Sequence, residues 1–193
     1  MKIVLIRYNA GNIHSVRLAL NRLGSKPMVS DDPEIILTAD KVIFPGVGEA
    51  SSAMKYLHEK KITDLLPKLK QPVLGICLGL QLMCRYSEEN DTKCLGIFDV
   101  NVKKFPPSDK IPHMGWNTVF NLTGPLFSNI DQKSYVYFVH SYFAQISTNT
   151  VAISEYIFNF SSALQKDNFF AVQFHPEKSG VIGERLLRNF ISL

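Results

Sequence analysis

A cysteine flanked symmetrically by glycines is the first place where this chain could do chemistry. In Pro-Val-Leu-Gly-Ile-Cys-Leu-Gly-Leu-Gln-Leu-Met, residues 72–83, Cys77 stands between Gly75 and Gly79 inside an apolar run. A strand that enters Gly-x-Cys-x-Gly and leaves as a helix has the form of a nucleophile elbow. Neighbours two residues from so tight a turn crowd both strand and helix, so they must be small. The turn lifts the sulfur to a helix N-terminus, where the backbone dipole favours an ionised nucleophile. A buried structural cysteine in a glycine-relaxed turn would use the same spacing. Cys84 and Cys94 read as packing residues. Three cysteines without a Cys-x-x-Cys pair argue against a disulfide framework or a zinc site, so no metal is expected.

A thiol nucleophile needs a base. Of the five histidines, His14 and His58 sit among polar residues on predicted helices. His113 lies in a loop before Gly-Trp-Asn, and His140 closes the strand Tyr-Val-Tyr-Phe-Val as a packed strand-end residue. His175 closes a strongly apolar strand, in Ala-Val-Gln-Phe-His-Pro-Glu. Pro176 biases it toward extended backbone. In an extended segment residues i and i+2 point the same way, so Glu177 projects beside His175. A hydrogen bond from Nδ1–H to that carboxylate would fix the tautomer and leave Nε2 for a thiol. A surface His-Pro-Glu turn is the alternative. Attack on a carbonyl also needs donors for the developing oxyanion. Pro45-Gly46-Val47-Gly48, between a strand and a helical segment, can turn backbone N–H groups of Val47 and Gly48 toward a ligand. The N–H of Leu78, just after the cysteine, is the second candidate.

The elements that must position these groups follow a strand-turn-helix rhythm. Predicted strands cover Lys2–Ile6, Pro27–Ser30, 41–44 and Val73–Ile76. Predicted helices cover Ile13–Leu23, Ala50–Leu69 and Leu78–Tyr86, with Asn12 as a cap and Gly24 as a stop for the first. This alternation argues for a parallel sheet covered on both faces. From Cys94 to Ile157 short β-rich pieces dominate: 96–103, 117–120, 135–140, 142–146 and 150–157. A strand at 168–174 and a helix at 181–191 close the chain. One mixed α/β domain over residues 1–193 is expected.

Composition narrows the function classes. The chain has 193 residues, 46% hydrophobic and 20% charged, with a net charge of +4. Its lysines are scattered, which favours a solvated surface over a nucleic-acid footprint. No apolar run is long enough to span a bilayer, and the short apolar N-terminus lacks a cleavage site, so a cytoplasmic protein without membrane contact is expected.

Three blocks together, Pro-Gly-Val-Gly (45–48), Gly-Ile-Cys-Leu-Gly-Leu-Gln (75–81) and Val-Gln-Phe-His-Pro-Glu (172–177), resemble the class I glutamine amidotransferase family over nearly the whole chain. The resemblance implies a flavodoxin-like three-layer α/β sandwich, with a mixed, mostly parallel sheet, helices on both faces and a small antiparallel region. It also implies a Cys77, His175, Glu177 triad, glutamine as substrate and no cofactor. The family's glutamine-holding positions map to Gly48, Gln81 and the Ser141-Tyr142 backbone. Further blocks, Pro-His-Met-Gly-Trp-Asn (112–117), Gly-Pro-Leu-Phe (124–127), Tyr-Phe-Val-His-Ser-Tyr (137–142), His-Pro-Glu-Lys-Ser (175–179) and Gly-Asn-Ile-His-Ser-Val (11–16), resemble one branch, the glutaminase subunit of imidazole glycerol phosphate synthase. That branch implies a heterodimer with a (β/α)8-barrel cyclase that receives ammonia for histidine biosynthesis. In it Trp116, Tyr142 and Lys178 lie toward the partner. Core packing for the two aromatics and solvation for the lysine are the plainer readings.

One block departs from the branch. It commonly has Asp-Tyr-Gly-x-Gly-Asn where this chain has Arg7-Tyr8-Asn9-Ala10-Gly11-Asn12. Arg7 reverses a charge, and Asn9 replaces a glycine with a residue that tolerates left-handed backbone fairly well. Three other functions share these features: a glutaminase that feeds a different synthase, such as one aminating a polysaccharide sugar; a non-catalytic binding module of this fold; and a cysteine peptidase of related topology.

Overall fold

In the computed structural model, which describes residues 1–8 and 12–193, the short apolar runs become the centre of one large sheet. The strands in chain order are β1 Ile3–Ile6, β2 Met28–Ser30, β3 Lys41–Phe44, β4 Val73–Ile76, β5 Tyr86–Ser87, β6 Thr92–Lys93, β7 Asn101–Lys104, β8 His113–Val119, β9 Ser134–His140, β10 Tyr142–Ala144, β11 Thr150–Tyr156, β12 Phe158–Lys166 and β13 Phe169–Val172. The α-helices are α1 Ile13–Arg22, α2 Pro33–Leu37, α3 Ala50–Glu59, α4 Leu78–Met83 and α5 Gly180–Ser192. The main sheet runs β2-β1-β3-β4-β13-β12-β10-β7-β5-β6, with β11 on β12. Its first five members are parallel, and from β12 through β10 to β7 it continues antiparallel. A separate antiparallel pair, β8 and β9, sets His113 opposite His140 and Trp116 opposite Tyr137.

Alternation along the central strands sends side chains to two cores. Val4, Ile6, Val42 and Phe44 pack with Ile36 of α2, Leu57 of α3 and Leu80 of α4. Ile3, Leu5, Ile43 and Leu74 face Val16 and Leu20 of α1 and Leu186 and Phe190 of α5. Each such buried aliphatic or aromatic side chain contributes about 1.5–3 kcal/mol. Together they hold the carboxyl ends of β3, β4 and β13 as a rigid rim. The sheet with helices on both faces and an antiparallel extension matches the expected fold class.

Several boundaries differ from the sequence reading. The helix expected over 50–69 stops at Glu59: Lys61 takes a left-handed φ of 57°, and a short 3-10 turn at Leu66–Lys68 follows. The helix expected to reach Tyr86 stops at Met83, because the segment after it takes its last carbonyls. The amides of Leu95, Phe98 and Gly96 donate to Leu82, Met83 and Cys84. The strand expected at 96–103 begins only at Asn101, and the one expected at 117 begins four residues earlier, at His113. Strand β12 and helix α2 had no counterpart in that reading.

The charge reversal at position 7 has a local answer. The Arg7 guanidinium bonds Asp31 in the β2–α2 turn. Asp31 also accepts from Tyr56 Oη (2.7 Å) and Lys60 Nζ (3.1 Å). The Tyr56 hydrogen bond, with those of Arg7 and Lys60, outweighs burial and holds this carboxyl well below the usual range. Asn9 lies outside the described residues.

Candidate active site

Cys77 and His175 leave the carboxyl ends of two adjacent parallel strands, β4 and β13, which pair with Ile76 beside Val172. The Cys77 amide donates to the Val172 carbonyl (2.8 Å), tying the elbow to the strand that carries the histidine. Cys77 has φ 52° and ψ −105°, a conformation costing a non-glycine residue about 1–3 kcal/mol. The flanking glycines explain how the turn is tolerated. A Cβ on Gly79 would lie 1.9 Å from the Phe44 carbonyl oxygen, and one on Gly75 would lie 2.6 Å from Met83 Sδ. The short, tight approach of strand to helix admits no side chain at either position.

His175 is extended, as Pro176 requires, and completely buried. Its Nδ1 lies 2.8 Å from Glu177 Oε1, and its Nε2 has no hydrogen-bond partner among the described residues. Burial disfavours the imidazolium. The charge of nearby Cys77, followed by the hydrogen bond and charge of Glu177, outweighs burial and pushes its pKa up to about 10. The group is therefore poised to carry a proton near the sulfur at neutral pH. Asn12, expected to cap α1, makes no side-chain cap. It is left-handed (φ 71°) and turns its Nδ2 to Glu177 Oε1.

A cleft of about 280 Å³ opens on Cys77, lined by Val47, Gly48, Leu78, Gln81, Glu89, Ser141 and Tyr142 among others. Its size suits a small metabolite better than a polypeptide segment. The expected Val47, Gly48, Gln81, Ser141 and Tyr142 all meet there. Gly48 has φ 147°, which side-chain-bearing residues rarely adopt. The Leu78 amide, one expected oxyanion donor, is already engaged: it donates to the Gly46 carbonyl at 3.2 Å. The Ser141 carbonyl accepts from the Phe105 amide, and the Tyr142 carbonyl accepts from both Gln81 Nε2 and His140 Nδ1. The Ser141 carbonyl keeps a lone pair for a ligand, whereas that of Tyr142 has both filled. Gln81 uses both amide hydrogens internally, leaving Oε1 as the atom available to a ligand amine.

Glu89 is the acidic side chain of the cleft, and the sequence reading passed over it. Burial raises its carboxyl pKa, opposed by a hydrogen bond from the Ala50 amide (2.8 Å). No local signal marks it in the sequence, since it lies beyond both α4 and β5.

Trp116 is 56% exposed on β8 rather than packed in a core. Its ring meets Tyr137 edge-on at 6.0 Å, and Lys178 Nζ lies 5.8 Å from the Tyr137 centroid. Trp116 and Lys178 thus share one exposed aromatic face with Tyr137. Tyr142 stands apart from them at the cleft, where burial and the charges of Glu89, Glu88 and Glu49 raise its phenol. Among the described residues no cluster of His, Cys, Asp and Glu could hold a metal ion, and no helix is long and apolar enough to cross a membrane.

Residues 5–193 match the family described as glutamine amidotransferase class-I. The chain is 55% identical over 196 residues to the imidazole glycerol phosphate synthase subunit HisH of Bacteroides fragilis, with all of both chains covered. It is 46% identical over 196 residues to the HisH subunit of Escherichia coli O157:H7, again over the whole of both. A solved structure described as a glutamine amidotransferase superposes with a TM-score of 0.77 at 18% identity, covering 98% of this chain and 97% of that one.

Proposed function

The chain belongs to the class-I glutamine amidotransferase family, and from that premise we propose that it is the glutaminase subunit of an imidazole glycerol phosphate synthase, with Cys77, His175 and Glu177 as its triad. The glutamine side chain enters the cleft with its γ-carbonyl over Cys77. Glu89 meets the α-ammonium group, and Gln81 Oε1 accepts from it. Cys77 Sγ attacks the γ-carbon, forming a C–S bond and an oxyanion. His175 then delivers its Nε2 proton to the departing nitrogen as the C–N bond breaks. Ammonia leaves, and a γ-glutamyl thioester remains. Water, deprotonated by the same Nε2, attacks the thioester; the C–S bond breaks and glutamate leaves. Glu177 holds the imidazole orientation through both steps.

The observation that carries this reading is the His175 geometry. One ring nitrogen is fixed on a buried carboxylate, and the other, without a hydrogen-bond partner among the described residues, belongs to a ring that feels the charge of the strained Cys77. The oxyanion donors are the N–H groups of the Val47-Gly48 turn and of Leu78. The bond from Leu78 to the Gly46 carbonyl means that this turn must be reshaped before the oxyanion can be held. We assign that reshaping to association with a (β/α)8-barrel cyclase, docked over Trp116, Lys178 and the Tyr142 side of the cleft. Ammonia then passes to the cyclase without reaching bulk water, where protonation would remove its lone pair. A cytoplasmic heterodimer, with one domain for this subunit, follows from the same reading. The test is glutamine hydrolysis with and without the cyclase and its nucleotide-derived acceptor: strong stimulation supports the reading, and none in a verified complex opposes it.

A further inference from the structure

Gln173 lies between Val172 and Phe174 in the apolar run before His175, and it is completely buried. A carboxamide in such a place costs about 1–3 kcal/mol unless its polar atoms are bonded. Its Oε1 accepts from Gln81 Nε2 at 3.1 Å, and its Nε2 lies 3.7 Å from Cys77 Sγ. Neighbouring bonds fix which way this carboxamide faces. The Tyr142 carbonyl can only accept, and it receives His140 Nδ1–H at 2.8 Å and Gln81 Nε2–H at 3.0 Å. The Gln81 nitrogen is thereby fixed, and its second hydrogen must meet an oxygen. Gln173 therefore turns Oε1 to Gln81 and its NH2 group to the sulfur.

His140 is fixed in its turn. With Nδ1–H on Tyr142, its Nε2 accepts from His113 Nδ1–H at 3.0 Å, and His113 Nε2 accepts from Asn117 Nδ2 at 3.3 Å. Two hydrogen-bond chains thus converge on one carbonyl and leave no ambiguity at Gln173.

The sulfur needs such a donor. The Val139 carbonyl oxygen lies 3.9 Å from Sγ, within reach of a thiol hydrogen but unfavourable to an anion. The titratable groups around the sulfur are His175 beyond β13, Tyr8 beyond β1, whose phenol is raised by burial and by Cys77, and Glu89, His140 and Tyr142 across the cleft. We propose that Gln173 is a positioning residue for the nucleophile: held by Gln81, it presents a fixed N–H to Cys77 Sγ and stabilises the sulfur anion once the thiol proton has moved to His175. The inference rests on Cys77 being the nucleophile.

Gln173→Leu removes the donor at similar volume, and Gln173→Glu keeps the shape and turns an acceptor to the sulfur. The measurement is the iodoacetamide alkylation rate of Cys77 against pH, followed on the Cys77 peptide, with thermal unfolding as the folding control. In Gln173→Leu, alkylation at pH 7 is expected to slow by roughly 10- to 100-fold, the scale of a hydrogen bond to a charged group. It recovers toward the wild-type plateau at high pH, and in the cyclase complex kcat for glutamine falls in parallel. If Gln173→Leu does not fold, the isosteric Gln173→Glu carries the test, with slower alkylation expected than in wild type at pH 7. A folded variant with the wild-type alkylation profile overturns the proposal. Alkylation needs neither glutamine nor cyclase, so its outcome is separate from that of the glutaminase assay.

Discussion

Asn12 and Glu177, 165 positions apart, are joined by a side-chain hydrogen bond from the start of α1 to the carboxylate that orients His175. This makes the proposed triad a four-residue arrangement that draws on both ends of the chain. Glu177 Oε1 takes both donors, from Asn12 and His175, while Oε2 has no partner among the described residues.

Removing the Asn12 donor leaves Glu177 freer to rotate away from the imidazole. Asn12→Gly is the suitable probe, because glycine tolerates the left-handed backbone at this site. Loss of one charge-assisted hydrogen bond, about 1.5–3 kcal/mol, is expected to lower kcat by roughly 10-fold or more with KM little changed. Asn12→Asp sets a second carboxylate against Glu177 and is expected to be slower still. Steady-state glutaminase kinetics of the two variants check the order; equal activity in Asn12→Asp and wild type would refute it.

The elbow glycines separate two kinds of crowding. In Gly79→Ala the new methyl meets the backbone carbonyl of Phe44, which cannot rotate away, so a loss of about 3 kcal/mol or more is expected. In Gly46→Ala the methyl lies 1.8 Å from Tyr8 Oη, at the end of a side chain. Adding Tyr8→Phe is therefore expected to recover part of the stability lost in Gly46→Ala, and no such rescue is available to Gly79→Ala. Urea unfolding of the single and double variants measures the coupling. Strict additivity at Tyr8 and Gly46 would rule out this contact.

The buried imidazole pair sets the acid limit of stability. Burial lowers His113 to about 4; burial, then the charges of His113 and His175, lower His140 to about 3, against a raising hydrogen bond to Tyr142. Both folded values lie below the unfolded value of about 6.5, so the unfolded chain binds more protons as pH falls. Their contribution is complete above about pH 6.5 and is lost between there and pH 3 to 4, on the order of 2 kcal/mol per histidine by pH 5. His175, raised to about 10, has the opposite sign: its contribution is complete below about pH 6.5 and is lost as pH rises through 10. Imidazole nitrogen spectra at about pH 5.5 are expected to show His113 and His140 neutral and protonated on Nδ1. Titration of either above pH 6 would contradict the lowered values, and a neutral ring protonated on Nε2 would contradict the hydrogen-bond directions.

The residues that were legible in the sequence are those whose meaning is local. Gly75, Cys77 and Gly79 declare a turn, and Pro176 with Glu177 declares where His175 points, because each signal lies within a few residues of the group it controls. The parallel strands were legible because they are continuously apolar. Contacts between distant segments were legible only where the family resemblance carried them, as for Val47, Gly48, Gln81, Ser141 and Tyr142. Asn12 has the sequence look of a helix cap, and only the fold brings Glu177 to it. Gln173 reads as a polar interruption of an apolar strand until Gln81 and Cys77 are set around it. Strand β12 was missed because Ser161 and Ser162 break its apolar pattern; the fold buries both, and Ser161 donates to the Gln145 carbonyl. Helix α2 carried a readable start, since the Asp32 side chain accepts from the Glu34 amide and Pro33 occupies the first turn, but its five residues show no period.

The most direct test of the central claim, that the Cys77 sulfur is the nucleophile served by His175, is Cys77→Ala in complex with the cyclase. Product formation is measured with glutamine and, separately, with ammonium salt as nitrogen source. Loss of the glutamine-dependent reaction with the ammonium-dependent reaction intact is the predicted result. Glutamine-dependent turnover near the wild-type rate would contradict it.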